Sequence, residues 1–328
     1  MFEFLRRILS GRPVPEPENK INTLSSSMLP TANVLEILAE PGHGKTSFLW
    51  GLTFMLRKLG LVWPDYLCWS PQSDTNQVIK AYHDAMNRRE VPAPTLQENI
   101  CRLELRLKGM ERWGDRRLIL EDGWDSVFPS ERNANVKKRE IDWGSPACWL
   151  LSLPDLEGFD AQDLDNRLDT LLRARQASAR FLLARPLRLI ITLTKADRMN
   201  LPRNLRQYLK LDPLAAMVTA EKELFDPELG PDSRGLAPGH PSIQFDERAV
   251  REYLGKLLQV HEEISDWLGS TLTGRLLARR AAQQHVTLRF CLVSATGADL
   301  RSDSHLQIPW SPRRVLDPFF WSLEPEML

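Results

Sequence analysis

Apolar positions along the chain gather into short runs separated by polar stretches, with no single long one. Runs at 34–38, 148–153, 187–193 and 286–293 read as strands, and 187–193 carries the β-branched residues of a parallel strand buried on both faces. The stretch 101–107 instead alternates apolar and charged residues, which predicts a half-exposed strand. Its antiparallel partner follows at 117–121 across a polar turn at 109–115. Helical spacing marks 46–59, 76–89 and the region 247–284, and an aromatic segment at 318–321 reads as a closing helix packed on the sheet. The order of these pieces predicts an α/β fold: a mostly parallel central sheet with helices on both faces, ligand at its carboxyl edge, and a helical insertion before the last strand.

Between the first strand and the first helix lies Ala39-Glu40-Pro41-Gly42-His43-Gly44-Lys45-Thr46. A loop whose successive N–H groups curl around a β-phosphate needs residues free to adopt positive φ, which Gly42 and Gly44 supply. The helix N-terminus beyond it adds partial positive charge. Lys45 is placed to reach the β- and γ-phosphates and the Thr46 hydroxyl to ligate Mg²⁺, with Pro41, His43 and Ser47 completing the cradle. Ala39 stands where the usual G-x-x-x-x-G-K-[ST] pattern has its first glycine. A glycine-rich turn with an accidental Lys-Thr is the alternative, and the flanking strand and helix argue against it. A nucleoside triphosphate is the expected ligand.

Two further elements, each at the carboxyl end of an apolar run, bear on the base. Thr194-Lys195-Ala196-Asp197 resembles the [NT]-K-x-D guanine-specificity element of Ras-like and translation-factor GTPases, and Ser294-Ala295-Thr296-Gly297 resembles the Ser-Ala-[Lys/Thr] loop of the same family. Each alone also reads as a helix N-cap after a strand or an ordinary turn. Together they resemble the Ras-like P-loop GTPase architecture over roughly 33–324. That resemblance implies that Asp197 accepts from guanine N1 and N2, that the Lys195 stem lies along the base, and that the N–H at Ala295 meets O6. Adenine cannot donate the N1 and N2 pair, so a buried carboxylate there would be left without partners.

The resemblance also implies GTP or GDP with Mg²⁺ as cofactors, and a metal site of Thr46, Thr95 and Asp122. Thr95 precedes the second strand, where the family keeps its switch threonine, and also reads as an incidental residue of a proline-rich loop. The family's Asp-x-x-Gly stands here as Asp122-Gly123-Trp124-Asp125, with the glycine displaced and no glutamine to orient the attacking water. Asp142-Trp143-Gly144 is a rival frame that leaves too few residues before 148–153 for a helix. The expected activity is slow GTP hydrolysis in a regulatory switch, with Lys45, Thr95 and Asp122 catalytic and a cis arginine, Arg89 or its neighbour Arg88, supplying charge. Both arginines equally read as solvated helix residues. An ATPase whose Glu121-Asp122 ends a Walker B strand, and a nucleotide-binding scaffold without turnover, are the competing expectations. A looser similarity, through 41–46 and Asp317-Pro318-Phe319-Phe320-Trp321, points to uncharacterised bacterial GTPases associated with multi-gene conflict systems.

Composition changes this picture little. Lys and Arg number 43, Asp and Glu 43, so the chain lacks the charge bias of a nucleic-acid or anionic-membrane binder, although a local basic patch remains compatible with that balance. Four cysteines are widely spaced without a C-x-x-C pair, which suits a reducing cytoplasm and no structural zinc. No apolar run reaches the ~20 residues that span a bilayer. Residues 1–30 are expected to be an amphipathic segment and linker, with 1–10 docking on protein in preference to lipid. Residues 31–328 then form one GTPase domain with insertions at about 60–94 and 199–285. The helical insertion is the expected partner surface within a multi-protein complex, although its apolar stripe reads first as core. Ten tryptophans, Trp143, Trp149, Trp310 and Trp321 among them, carry the same two readings.

Overall fold

In a computed structural model of the chain, residues 33–39, 42–62, 67–69, 73–92, 102–107, 116–122, 147–152, 162, 165–166, 168–170, 187–212, 247–297 and 305–323 are described. All lie in the unit Thr31–Leu328. The strands are β1 (Asn33–Ala39), β2 (Leu67–Trp69), β3 (Arg102–Leu107), β4 (Arg116–Asp122), β5 (Ala147–Ser152), β6 (Leu187–Thr194) and β7 (Val286–Leu292). The helices are α1 (Lys45–Val62), α2 (Ser73–Asn87), α3 (Arg203–Lys210), α4 (Glu247–Gly269), α5 (Leu272–Gln283) and α6 (Asp317–Leu323).

One seven-stranded sheet runs in the order β2-β3-β4-β1-β5-β6-β7. Pairs from β4 through β1, β5 and β6 to β7 are parallel, and β3 joins β4 antiparallel, as the alternating and continuous apolar runs require. The chain leaves β1 toward β4 on one side and toward β5 on the other, so β1 stands at the switch point where α/β sheets hold ligands beyond the strands' carboxyl ends. This is an α/β fold of the P-loop NTPase kind, a mostly parallel sheet with helices on both faces and with α4 and α5 inserted before the last strand.

Strand alternation sends side chains to two apolar layers. On one face Leu35 and Ile37 of β1, Leu150 of β5 and Val293 pack with Phe48 and Leu52 of α1 and Phe319 and Phe320 of α6. On the other, Leu38, Trp149, Leu189, Ile191 and Leu292 meet Leu205 of α3, Ile264 of α4 and Leu277 of α5. Each large apolar side chain so buried contributes about 1.5–3 kcal/mol relative to exposure. Helix α4 belongs to both layers: Tyr253, Leu254 and Leu257 lie in the first, Val260, Ile264 and Leu268 in the second. Its apolar stripe is therefore core, and Trp149, Trp310 and Trp321 are buried too, while Trp143 lies outside the described residues.

Three differences from the sequence reading have simple causes. The helical region 247–284 is two helices, broken at Ser270 and Thr271, where the Thr271 hydroxyl caps α5 by accepting from Gly274 N at 3.0 Å. Within 60–94, β2 extends the sheet through β3 and α2 packs near α1, so both are part of the domain body. The start of 199–285 holds a helix the sequence reading did not contain, α3, which buries Leu205, Tyr208 and Leu209 against the sheet's second face. A three-residue strand and a helix of two turns are too short for periodicity to reveal. The segments 1–10, 109–115 and 225–242 lie outside the described residues.

Candidate functional site

The phosphate loop starts where β1 ends. Gly42 and Gly44 take φ of 87° and 81°, and a Cβ built on either would meet no atom of the described residues beyond its chain neighbours within 4 Å. Helix α1 begins at Lys45, directly after this loop, the Phe48 N–H to Gly44 O bond at 2.8 Å closing its first turn. These residues fit a polyphosphate. His43 is buried, its Nδ1 3.3 Å from Leu150 O on β5, so it braces the loop against the neighbouring strand. Pro41 lies outside the described residues.

The loop after β6 is fastened directly onto this one. Thr194 Oγ1 donates to His43 O at 2.8 Å, and Lys195 Nζ donates to Gly42 O at 2.9 Å. Lys195 holds φ 55°, a left-handed conformation that a lysine adopts only when its surroundings demand it, and the following residues Ala196–Arg198 turn as a 3-10 helix. Ala196 N donates to Val293 O at 3.1 Å, which ties the turn to the end of β7. Asp197 is left exposed at the rim with no hydrogen bond among the described residues.

The third loop follows β7. Ser294 exchanges two backbone bonds with Arg313, at 3.1 and 2.8 Å, and Ser311 N donates to Thr296 O at 2.9 Å, so 294–296 lie against 311–313 as a short antiparallel ribbon. Ser294 Oγ accepts from Gly297 N and rounds off the turn. Ala295 sits close over α1: a Cβ at Gly51 would be 3.0 Å from Ala295 O. Asp197, Ser294 and Gly297 share a cavity of about 560 Å³ with Arg206 and Lys210 of α3 and with Arg313. The structure thus brings Gly42, His43, Thr194, Lys195, Asp197 and Ser294 to one edge of the sheet. Arg206, Lys210 and Arg313 are site residues the sequence reading did not contain. The i, i+3, i+7 spacing of Arg203, Arg206 and Lys210 is the signal that marks that basic face.

Other expected site residues fare differently. Asp122 ends β4 in register with Ile37 of β1, which puts its backbone at the same carboxyl edge; its side chain is not described. Thr95 lies outside the described residues, as do the rival frame and the residues after Asp122. Arg88 and Arg89 follow the end of α2, and their contacts lead elsewhere. Arg88 pairs with Glu90 at 2.5 Å, which holds the Glu90 carboxyl below its usual range, and Arg89 reaches Gln307 O. Trp310 Nε1 donates to Glu90 O at 3.1 Å and its ring lies 5.8 Å from that of Trp50, fixing this segment on α1. Cys148 and Cys291 are free and buried, and burial pushes the Cys148 thiol up to about 12, so it is an inert filler.

No protein-family profile matches the chain, and no curated protein matches its sequence. Among solved structures, the chain is similar to the signal recognition particle receptor SRb-GTP/SRX complex from Chaetomium thermophilum, at 14% identity and a TM-score of 0.34 over 82% of this chain and 96% of that one. That likeness is remote, and the fold assignment stands on the strand order and the phosphate loop of this chain. Among the described residues, no helix is long and apolar enough to cross a membrane.

Proposed function

We propose that the protein is a guanine-nucleotide-binding regulatory switch that hydrolyses GTP slowly with Mg²⁺ and acts through a protein partner. The observation that carries this reading is the double fastening of the loop after β6 onto the phosphate loop, through Thr194 to His43 O and Lys195 to Gly42 O. A ligand held by the one is met at once by the other, with Asp197 at the rim to accept from guanine N1 and N2 and the Ala295 N–H to meet O6.

In this reading Pro41, Gly42, His43, Gly44, Lys45, Thr46 and Ser47 together bind the phosphates. Thr46, Thr95 and Asp122 would hold Mg²⁺, which neutralises charge on the β- and γ-phosphate oxygens when bound. Lys45 adds a positive charge at the same oxygens. The committed contacts of Arg88 and Arg89 fit a site without its own arginine finger, hence slow turnover that a partner accelerates. The partner surface lies near the switch segments around 91–95 and after Asp122, which respond to the γ-phosphate. Buried, reduced cysteines suit a cytoplasmic setting.

The test is binding of labelled GTP and ATP, with Mg²⁺, to wild type, Lys45→Ala and Asp197→Asn. Selective GTP binding is expected, lost in Lys45→Ala and moved toward XTP in Asp197→Asn, because the amide donates where the carboxylate accepted. Preference for ATP, or indifference to Asp197→Asn, would refute the guanine reading and favour an ATPase.

A further inference from the structure

Behind the loop after β7 lies a buried ionic cluster that phosphate binding does not use. Arg314 and Asp317 are both fully buried, Asp212 nearly so. Asp317 accepts from Arg314 Nε at 3.1 Å and from Tyr208 Oη at 2.9 Å through one oxygen, and from Tyr253 Oη through the other. The backbone N–H of Arg314 donates to Asp212 at 2.7 Å, and its guanidinium lies 3.8 Å from the Tyr208 ring centroid and 4.9 Å from that of Tyr253. Nη1 and Nη2 make no hydrogen bond among the described residues; their charge is met by Asp212 Oδ1, 3.9 Å from Nη1, and by the two tyrosine faces. Arg314 itself is left-handed, φ 59°, a conformation that residues with a Cβ adopt uncommonly and at some cost. The cluster gathers α3 through Tyr208, the segment after it through Asp212, α4 through Tyr253 and α6 through Asp317.

This cluster sits one residue from the base loop. Arg313, bonded twice to Ser294, precedes Arg314, so the strained residue that the four elements immobilise is covalently joined to the strand that fixes 294–296. An apolar cluster would fill the same volume without desolvating three ions, whereas the directional bonds of Arg314 and Asp317 fix one backbone position.

We infer that Arg314, Asp317, Tyr208 and Tyr253 are positioning residues that set the height of the Ser294-Ala295-Thr296 loop and so the protein's grip on the guanine base. The inference extends the proposed function to a second layer of residues and rests on it for the base; the geometric part stands alone. With the cluster intact, the Ala295 N–H is held ready before nucleotide arrives, and base binding spends no energy ordering the loop. With it loosened, phosphates still bind and base selectivity falls.

Two readouts on Tyr208→Phe, Asp317→Asn and a control, Leu277→Ala, test this. Tyr208→Phe keeps the ring under Arg314 and removes one hydrogen bond, so it folds even if Asp317→Asn does not. Leu277 is a core residue of α5, which supplies no member of the cluster. In nucleotide-free protein, hydrogen exchange at the Ser294 and Arg313 amides should quicken by about tenfold in Tyr208→Phe, the scale of one lost hydrogen bond. The ratio of GDP to ADP affinity should fall by a similar factor, while Leu277→Ala, matched for loss of thermal stability, leaves that ratio at the wild-type value. Unchanged exchange in Tyr208→Phe overturns the inference, as does a selectivity loss equal to that of Leu277→Ala. A wild type that does not distinguish GDP from ADP defeats the proposed function instead, and the exchange result still decides whether the cluster positions the loop.

Discussion

Acidification singles out His261. This residue of α4 lies against the last strand, its Nδ1 accepting from Phe290 N at 3.1 Å, its ring stacked 5.6 Å from Phe290 and edge-on to Trp321. Accepting at Nδ1 requires the neutral ring, and burial with the nearby Arg289 cation lowers its pKa from 6.5 to about 4. In the unfolded chain the imidazole takes a proton near pH 6.5, so the unfolded state binds more protons between 4 and 6.5. Stability from this group is complete above pH 6.5 and is lost as the pH falls toward 4. At pH 5 a full shift of this size corresponds to about 2 kcal/mol, and the ring's partial exposure reduces that to about 1 kcal/mol. His261→Gln retains an acceptor for Phe290 N and removes the titration. Urea unfolding of both proteins at pH 7.5 and pH 5 gives the comparison: wild type should lose about 1 kcal/mol more on acidification than the variant. An equal loss in the two proteins would mean that His261 does not titrate in this window, and the burial argument would fail with it.

Two further outcomes follow from single contacts. A Cβ at Gly274 would stand 2.1 Å from Leu268 O, across the turn that joins α4 to α5; Gly274→Ala should therefore lower the urea-unfolding free energy by about 1–3 kcal/mol, and a neutral result would show that the turn yields freely. Lys195→Ala removes the only side-chain bond from the loop after β6 to Gly42 O recorded among the described residues; stopped-flow release of a fluorescent GDP should quicken about tenfold, with wild-type release rates refuting the coupling of the two loops.

The phosphate loop was legible because it is local: glycines, lysine and threonine at fixed spacing between a strand and a helix leave little to tertiary context. All the described strands except the three-residue β2 were legible for the same reason, since burial on two faces writes itself as an apolar run, as Leu189, Ile190, Ile191 and Leu193 of β6 show. Order along the chain then gave the sheet. What the sequence concealed depends on residues far apart. The cluster of Tyr208, Asp212, Tyr253, Arg314 and Asp317 draws on four segments, and in sequence each member reads as an ordinary surface or helix residue. Arg89 failed to reveal its contact for a related reason. Its partner is a backbone carbonyl at Gln307, 218 positions away, and carbonyls carry no sequence signal. Helix α3 was missed because two turns hold too few apolar positions to establish a period.

Order of synthesis gives the placement of α4 another meaning. Strand β6 leaves the ribosome well before the residues of α4, α5 and β7 that cover its second face and pair with its free edge. Close to a hundred residues separate Thr194 from Leu292, roughly 5–20 s of elongation at ordinary rates. During that interval Leu189, Ile191 and Leu193 lie open on a long strand with an unpaired edge, the arrangement most prone to join a neighbouring chain. Slowing translation in the stretch between the loops after β6 and β7 should therefore lower the protein's soluble yield before it alters anything in the finished molecule.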